Sequence, residues 1–388
     1  MLRCHQISLA AGSCFQLYLV LCHRFSANNE TPWHPKQIGI GKFLEGSVPR
    51  GVDLAEIGKV SERTANTKLN GQSALGIPVP ARPPAFCTGC PERPVLSALK
   101  LVERDLGKIH VSADVGCHTM STIPPFNIGN TMLGYGLGLS ASTGIAPSMR
   151  NRVISLMGDG GFWHGGLLSG VANHVFNRND GILVIFKNGY SSATGHQNIP
   201  SSGVNGRGER VEMDIVKALK GVGVTWIKSV NSYSVAKMMK TMKMAMTTKF
   251  DGLKVIIADG ECQLARQRRI RPQIAKQVAD GRRVVRTRFG VDHDLCTGDH
   301  SCIRLSGCPS LTIKPNPDPL RTDPVASVVD SCVGCGLCGE VAHAAVLCPS
   351  FYRAEIVQNP RFFDRLVDRM RRSIIGLLQS WSRPAFAP

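Results

Sequence analysis

A run of closely spaced cysteines constrains this chain more than any other feature of its sequence. Cys332, Cys335 and Cys338 are separated by two residues each, and Cys348 follows them directly before a proline. This spacing suits metal ligation, since a disulfide between such close neighbours is usually redox-active and not structural. Residues 291–355 are also rich in Cys, Gly, Pro and Asp. We therefore expect a small domain there that depends on bound metal to fold, because its own apolar core is inadequate.

A second, imperfect copy of this motif lies upstream, with Asp299 between Cys296 and Cys302 and with Cys308 directly before a proline. Together the two copies resemble two-cluster bacterial ferredoxins, in which the fourth cysteine of each motif ligates the other cluster. This resemblance implies a ferredoxin-like α+β domain with one [4Fe–4S] cluster on Cys308, Cys332, Cys335 and Cys338. It implies a second cluster on Cys296, Asp299, Cys302 and Cys348. Because a carboxylate is a weaker ligand of iron than a thiolate, we expect the second cluster to lose one iron easily. A module with two zinc ions is the alternative.

Residues 84–265 contain buried strands that alternate with amphipathic helices. The strands are predicted over residues 110–113, 153–157, 182–186, 224–230 and 254–258. The helices are predicted directly after Cys90 and over residues 167–176, 213–219 and 234–247. This alternation predicts an α/β domain, in which helices cover both faces of a parallel sheet. Outside it we expect an atypical N-terminus and linker over residues 1–83, a basic connector over 266–290 and a C-terminal helix over 356–388.

Polar residues suited to anions and metal follow two of the predicted strands. The motif Gly158-Asp159-Gly160-Gly161 follows the second strand, and Asn188, 29 residues after Asp159, follows the third. Open α/β sheets bind ligands at the carboxyl ends of their strands. The glycines let the backbone approach a phosphate closely, and the amides at the start of the next helix attract the anion. Asp159 and the side-chain oxygen of Asn188 are hard ligands suited to Mg²⁺.

This pattern resembles the thiamine-diphosphate motif, a Gly-Asp-Gly sequence followed by Asn after a gap of almost this length. The resemblance implies that thiamine diphosphate binds at the glycine motif. It also implies that Mg²⁺ binds to Asp159, Asn188 and the backbone carbonyl of Tyr190. The alternative is a tight glycine turn and a strand-end asparagine without any cofactor.

Two further segments resemble the indolepyruvate ferredoxin oxidoreductases, which belong to the 2-oxoacid:ferredoxin oxidoreductase family. They are Thr194-Gly195-His196-Gln197 and Cys87-Thr88-Gly89-Cys90-Pro91. The family usually continues the second segment with His-Arg, whereas this chain has Glu92-Arg93. The resemblance covers roughly residues 80–350 and implies a proximal [4Fe–4S] cluster on Cys87, Cys90, Cys117 and Cys262. A structural zinc site, or buried cysteines that ligate nothing, are the alternatives.

Two histidines near the glycine motif are candidates for catalytic proton transfer. His164 and His196 are the only nearby side chains that titrate close to neutral pH. For each of them a structural role is the alternative.

The family resemblance implies oxidative decarboxylation of a 2-oxo acid, an arylpyruvate by its indolepyruvate branch, to an acyl-coenzyme A. Electrons then pass through up to three clusters to ferredoxin. Thiamine enzymes bind their cofactor between two α/β domains, and residues 1–83 are too few and too irregular to form the pyrimidine-binding one. We therefore expect either a partner subunit that supplies this domain or a chain that is a fragment. The alternatives are an electron-transfer module with a vestigial thiamine site and a sister enzyme for pyruvate or 2-oxoglutarate.

The net charge of +18 bears on the partners of the chain and not on its fold. It favours an acidic ferredoxin, whereas the densest basic stretch, residues 266–288, lacks the interleaved aromatic residues of a nucleic-acid site. Residues 360–381 are predicted as a basic amphipathic helix that packs against the protein, with a membrane-surface role as the alternative. Residues 1–24 resemble a weak secretory signal but lack an A-x-A-like cleavage site. Because labile clusters are generally assembled in the cytoplasm, we expect a cytoplasmic protein. We also expect an oligomer that binds neither nucleic acid nor membrane.

Overall fold

The computed structural model describes residues 84–345 and 348–381, together with four single helical positions upstream: Glu62, Asn66, Asn70 and Ser73. The chain divides into two compact units, Met1–Pro83 and Pro84–Pro388. The signal-like run over residues 1–24 and its cysteines Cys4, Cys14 and Cys22 lie outside the described residues. The second unit contains the α/β domain and the cysteine-rich region.

Six parallel strands form the central sheet of the second unit. They are β1 (Val111–Ala113), β2 (Thr131–Met132), β3 (Ile154–Gly158), β4 (Gly181–Lys187), β5 (Trp226–Asn231) and β6 (Leu253–Asp259). Their spatial order is β2-β1-β3-β4-β6-β5, and every neighbouring pair is parallel. Five of them match predicted strands to within two residues, and the short β2 has no counterpart among the predictions. The parallel α/β sheet expected from the sequence is confirmed.

Helices cover both faces of this sheet. They are α1 (Glu92–Leu106), α2 (Gly138–Ile145), α3 (Asp159–Gly161, a π-helical Phe162–Ala172 and Asn173–Phe176 in succession), α4 (Ile215–Gly221) and α5 (Val235–Thr247). Leu96 of α1 and Met238 of α5 pack on one face, whereas Phe162 of α3 and Leu219 of α4 pack on the other. Because successive strand residues point to opposite faces, both must be apolar when both faces are covered. The central strands β3, β4 and β6 are accordingly buried almost throughout.

Helix α3 begins at Asp159, eight residues before the helix predicted over residues 167–176. The predicted start was wrong because three glycines in four residues favour a turn. In the structure Gly160 and Gly161 serve close packing instead. A Cβ atom on Gly161 would overlap the Asp114 carboxylate, and one on Gly160 would overlap the Tyr135 hydroxyl. The helix can therefore start directly at the end of β3.

The rest of the chain forms the cysteine-rich region and its flanking elements. These are α6 (Gln263–Ala279), β7 (Val284–Val291), α7 (Ser301–Ser306), β8 (Leu311–Lys314), β9 (Val325–Val328), α8 (Leu337–Ala345), β10 (Phe351–Gln358) and α9 (Phe362–Trp381). Two antiparallel pairs, β7–β10 and β8–β9, provide its sheets. Its buried core consists of three apolar residues and three cysteines: Leu311, Val325, Ala326, Cys296, Cys302 and Cys338. Half of this small core is therefore made of the predicted metal ligands.

Residues 266–290, predicted as a basic connector, form most of α6 and most of β7. Strand β7 pairs with β10 over eight residue pairs. The arginines of α6, such as Arg266, Arg268 and Arg269, are exposed, so solvent screens their charge and the helix tolerates them. The dense charge concealed regular structure, and the connector interpretation is corrected accordingly.

Helix α9 carries its apolar side exposed. Phe362, Phe363 and Met370 are 73%, 75% and 58% exposed, so the predicted packing of this side against the protein was wrong. The helix is joined to β7 at its first turn, where Arg283 donates two hydrogen bonds of 2.7 Å to the Asp364 carboxylate. None of the helices within residues 84–345 and 348–381 is both long enough and apolar enough to cross a membrane.

Candidate functional site

Asp159 lies where β3 passes into α3, and its side chain is fully buried. The carboxylate accepts hydrogen bonds from the N–H of Gly160 at 3.0 Å, the N–H of Gly189 at 2.8 Å and the hydroxyl of Ser201 at 3.3 Å. Burial raises the pKa of this carboxyl to about 7, because these hydrogen bonds only partly offset the loss of solvation. All three donors are neutral. A divalent cation would supply the positive partner that this carboxylate lacks among the described residues.

Asn188 follows β4, the strand next to β3, and is buried. Its Oδ1 accepts hydrogen bonds from the N–H of Tyr190 at 3.1 Å and the hydroxyl of Ser192 at 3.0 Å, while its Nδ2 donates to Glu92 at 3.3 Å. Because a backbone N–H can only donate, the oxygen of the amide must face the Tyr190 loop. The structure thus joins Asp159, Asn188 and Tyr190, the predicted magnesium ligands, in one network at adjacent strand ends.

Open space lies beside Gly158. No atom of the described residues lies within 4 Å of the position that a Cβ atom would take there, and the φ of −72° is one that any residue adopts. Neither packing nor backbone conformation therefore requires glycine at this position. A side chain would occupy space that a diphosphate needs at this strand end. With the amides of the first turn of α3 and the oxygen ligands nearby, the residues present fit a diphosphate bound through Mg²⁺.

A buried Asp–His pair lies next to the glycine motif. Asp114 follows β1, and its carboxylate accepts hydrogen bonds from the N–H of Gly136 at 2.9 Å and the N–H of Gly158 at 3.4 Å. The Nε2 atom of His118 lies 2.7 Å from Asp114 Oδ1, and its ring stacks on Phe186. Burial lowers the pKa of His118, but the carboxylates of Asp114 and Glu92 and the backbone carbonyl of Asp114 together raise it above its ordinary value. Through the Gly158 N–H this pair is bonded to the first residue of the glycine motif.

Glu92 begins α1 and is a further buried ionisable residue beside the site, and burial raises its pKa to about 6. The sequence interpretation missed Asp114, His118 and Glu92 as site residues. Asp114 carried a usable signal, because it follows a predicted strand in the same way as Asp159 does. The other two carried none, since only packing brings them to this strand end.

The four proximal cysteines lie within mutual electrostatic range of one another: Cys87, Cys90, Cys117 and Cys262. Burial raises the pKa of Cys117, and the Glu92 carboxylate and the other three cysteines raise it further. We call Asp159, Asn188 and Tyr190 together the oxygen site. The set adjoins this oxygen site, because the N–H of Cys262 donates to the backbone carbonyl of Asn188 at 3.0 Å. Thiols whose pKa is raised in this way need a bound cation to become thiolates, so the set fits metal ligation.

The structure also groups the other two predicted ligand sets. Burial, together with Cys308, Cys335 and Cys332, raises the pKa of Cys338 to about 12. Burial, together with Cys348, Cys296 and Asp299, raises the pKa of Cys302 to about 11. The exposed Asp299 carboxylate accepts hydrogen bonds from the N–H and the hydroxyl of Ser301 at 3.3 Å and 2.8 Å.

Across residues 84–345 and 348–381, no three side chains of His, Cys, Asp or Glu converge closely enough to hold a single metal ion. The cluster assignments stay predictions.

The two candidate histidines lie at the rim of the oxygen site. His164 is exposed on α3, with its ring centre 5.2 Å from that of Tyr135. His196 has its ring centre 6.0 Å from that of Tyr190, and its Nδ1 lies 3.1 Å from the guanidinium of Arg268. Burial and the charge of Arg268 lower the pKa of His196. Both rings therefore neighbour residues of the site, and their catalytic role stays a prediction.

Comparison with known proteins relates the chain to thiamine enzymes. Residues 114–258 match the family described as thiamine pyrophosphate enzyme, C-terminal TPP binding domain. The chain is 30% identical over 314 residues to the indolepyruvate oxidoreductase subunit IorA of Archaeoglobus fulgidus. The aligned region covers 80% of this chain and 46% of that subunit. It is 27% identical over 320 residues to IorA of Methanothermobacter thermautotrophicus, with coverages of 79% and 47%. The chain thus spans about half the length of the curated relatives it matches.

A solved structure of 2-oxoglutarate:ferredoxin oxidoreductase from Magnetococcus marinus, with 2-oxoglutarate, coenzyme A and succinyl-CoA bound, is also similar. It aligns with a TM-score of 0.41 and 19% identity, and covers 47% of this chain and 66% of that chain. The segment that matches the TPP-binding family contains Asp114, Asp159 and Asn188, and runs from the end of β1 into β6. The chain therefore carries the C-terminal TPP-binding domain of the thiamine pyrophosphate enzymes and is a relative of the IorA subunits of indolepyruvate oxidoreductases.

Proposed function

We propose that this chain is the cofactor-binding and electron-relaying part of an indolepyruvate-type 2-oxoacid:ferredoxin oxidoreductase. The proposed reaction is the oxidative decarboxylation of a 2-oxo acid, indolepyruvate or another arylpyruvate, to an acyl-coenzyme A. One observation carries this proposal: the N–H of Cys262 donates to the carbonyl of Asn188 at 3.0 Å. The oxygen site, which suits a magnesium diphosphate, and the set of four cysteines thus meet where the loop after β4 contacts the loop after β6. This adjacency suits electron transfer from the cofactor site to a cluster.

Each candidate site residue has a defined part in this proposal. Thiamine diphosphate, when bound, supplies the electron sink for decarboxylation, and [4Fe–4S] clusters accept the electrons singly. Asp159, Asn188 and the carbonyl of Tyr190 would hold the Mg²⁺. The first-turn amides of α3 and the open space beside Gly158 would receive the diphosphate. At the rim, the two histidines are the proposed proton carriers: His164 and His196.

Contacts between the cysteine loops support an order of electron transfer. Gly89, within the proximal motif, packs so closely on Val333 that a Cβ atom would overlap it. The fully buried guanidinium of Arg93 opposes the effect of burial on the pKa of both Cys90 and Cys335. Electrons would therefore pass from the proximal set to the set that contains Cys335 and then to the set that contains Asp299, before they reach ferredoxin.

A partner subunit or domain is part of the proposal. Thiamine enzymes bind their cofactor between two α/β domains, and one such sheet lies in the described residues. The chain also spans only about half the length of the IorA relatives. We infer that a pyrimidine-binding domain on another subunit, or on the remainder of a longer chain, completes the site in an oligomer. The net charge of +18 would favour an acidic ferredoxin as the final acceptor.

Counting iron and acid-labile sulfide in the chain purified without oxygen tests the cluster part of the proposal. About twelve irons per chain would support three four-iron clusters, and about eleven would indicate a three-iron cluster at Asp299. About eight would remove the proximal cluster from the proposal. Zinc without sulfide would overturn the redox function altogether.

Cluster reduction on addition of an arylpyruvate, thiamine diphosphate and the partner subunit tests the catalytic part. The matched control is Asp159→Ala, which should keep its iron and lose this reduction. Clusters that accept electrons from dithionite but never from a 2-oxo acid would indicate an electron-transfer module with a vestigial thiamine site. Competition between indolepyruvate, pyruvate and 2-oxoglutarate then decides the substrate.

A further inference from the structure

Glu92 joins the oxygen site to the proximal cysteines. It begins α1 two residues after Cys90 and is 2% exposed. Its Oε1 accepts the hydrogen bond from Asn188 Nδ2 at 3.3 Å, and its Oε2 has no hydrogen-bond partner in the part of the chain that the structure describes. A buried carboxylate oxygen without a partner costs folding free energy, so this position needs a reason beyond packing.

Glu92 lies beside the proximal cysteines. It follows Cys90 by two residues, and it bonds to Asn188, whose backbone carbonyl accepts the N–H of Cys262. Two groups of opposite sign stand nearby: the guanidinium of Arg93, which acts against Glu92 on Cys90, and the ring of His118. Glu92 is therefore the carboxylate among three buried ionisable side chains beside this set, and it is also bonded to a predicted magnesium ligand.

We propose that Glu92 is a positioning residue that orients the Asn188 amide towards the magnesium site and lowers the midpoint potential of the proximal cluster. This inference rests on the proposed function. The Asn188 amide is held by three hydrogen bonds, two accepted by Oδ1 from Tyr190 and Ser192 and one donated by Nδ2 to Glu92, so loss of the Glu92 acceptor loosens the oxygen that would bind Mg²⁺. A carboxylate beside the cysteines disfavours reduction, because the reduced cluster carries one more negative charge.

Three variants separate these two effects. Glu92→Gln keeps an oxygen acceptor for Asn188 but removes the charge. Glu92→Met fills a similar volume and removes both the acceptor and the charge. Glu103→Gln is the matched control, because Glu103 lies on the same helix about 16 Å away along its axis.

Two measurements on the full chain, purified without oxygen, read out the effects independently of turnover. Calorimetric titration with Mg²⁺ and thiamine diphosphate gives the affinity. Redox titration followed by electron paramagnetic resonance gives the midpoint potential of the cluster whose signal the Cys262→Ser chain lacks. We expect Glu92→Gln to keep the affinity within about twofold and Glu92→Met to weaken it about tenfold or more, as is typical for partners of metal ligands. Both should shift the midpoint potential in the positive direction, and Glu103→Gln should change neither quantity.

Each negative outcome has a defined meaning. Equal affinities for Glu92→Gln and Glu92→Met would overturn the positioning effect, and unchanged potentials in both would overturn the electrostatic one. If Glu92→Met does not fold, as judged by circular dichroism, Glu92→Ala takes its place in the comparison. If no cluster depends on Cys262, the proposed function and the electrostatic effect fail together, and the affinity comparison still decides the positioning effect.

Discussion

Replacing Asp159 by asparagine should make the metal-free chain more stable at alkaline pH and unable to bind magnesium thiamine diphosphate. The buried carboxyl has a pKa of about 7 in the folded chain, against 3.8 for an ordinary aspartate. Below pH 3.8 the carboxyl is protonated in both the folded and the unfolded chain, so its burial carries no charge penalty. Between pH 3.8 and about 7 only the unfolded chain ionises, so the stability of the folded chain falls as the pH rises.

The size of this effect follows from the two pKa values. Ionising a group whose pKa is raised from 3.8 to about 7 costs the folded state about 4 kcal/mol above neutral pH. Asparagine removes that cost but places an NH₂ group against one of the donors, Gly160 N–H or Gly189 N–H, which costs about 1–3 kcal/mol. We therefore expect a net gain of about 2 kcal/mol at alkaline pH and a net loss of about 2 kcal/mol in acid, where only the cost of the NH₂ group remains.

Urea unfolding of the metal-free chain, followed at roughly pH 4 and pH 8, measures this difference directly. The matched control is the same exchange at an exposed position after α6, Asp280→Asn. A difference between Asp159→Asn and the wild type that fails to grow from acid to alkaline pH would refute the reasoning. Calorimetric titration of the same variant should show no magnesium-dependent binding of thiamine diphosphate. A gain of stability joined to a loss of binding is expected where a fold is strained for function.

Changes at three other places have distinct expected outcomes. Gly160→Ala should cost about 1–3 kcal/mol in urea unfolding because its Cβ would overlap a neighbouring hydroxyl, whereas Gly158→Ala should keep the stability and weaken only thiamine diphosphate binding. Unaltered binding by Gly158→Ala would contradict a diphosphate in the open space beside that residue. Asp299→Cys should raise the iron content and change the spectrum of its cluster, and unchanged values of both would exclude Asp299 as a ligand. Asp180→Asn should destabilise the chain by about 3 kcal/mol because it leaves the fully buried Lys254 ammonium without its carboxylate. Lys254→Met should cost less, and an equal or larger loss of stability would show that the unpaired charge is not the cause.

The parallel sheet could be predicted because its central strands are buried on both faces. A strand such as β4 is then a continuous apolar run, and helices before and after it imply a parallel neighbour. The start of α3 could not be predicted, because its glycines have the same appearance in a turn as in a tightly packed helix. Helix α6 and strand β7 could not be predicted either, because exposed arginines occur both in regular structure and in a connector.

The sequence by itself determined which chemical groups this protein has and the spacing that pairs Asp159 with Asn188 and the cysteines with one another. These are local patterns, so they can be recognised before the chain is folded. Only the tertiary structure decided that Cys262 donates to the Asn188 carbonyl and that Glu92 bonds to its amide. These residues are far apart in the chain and meet because parallel strands bring their carboxyl ends to one edge, where the first turn of α1 packs. The proximity of the two kinds of site is therefore a property of the fold, because it depends on how the strand ends and α1 pack and not on order along the chain.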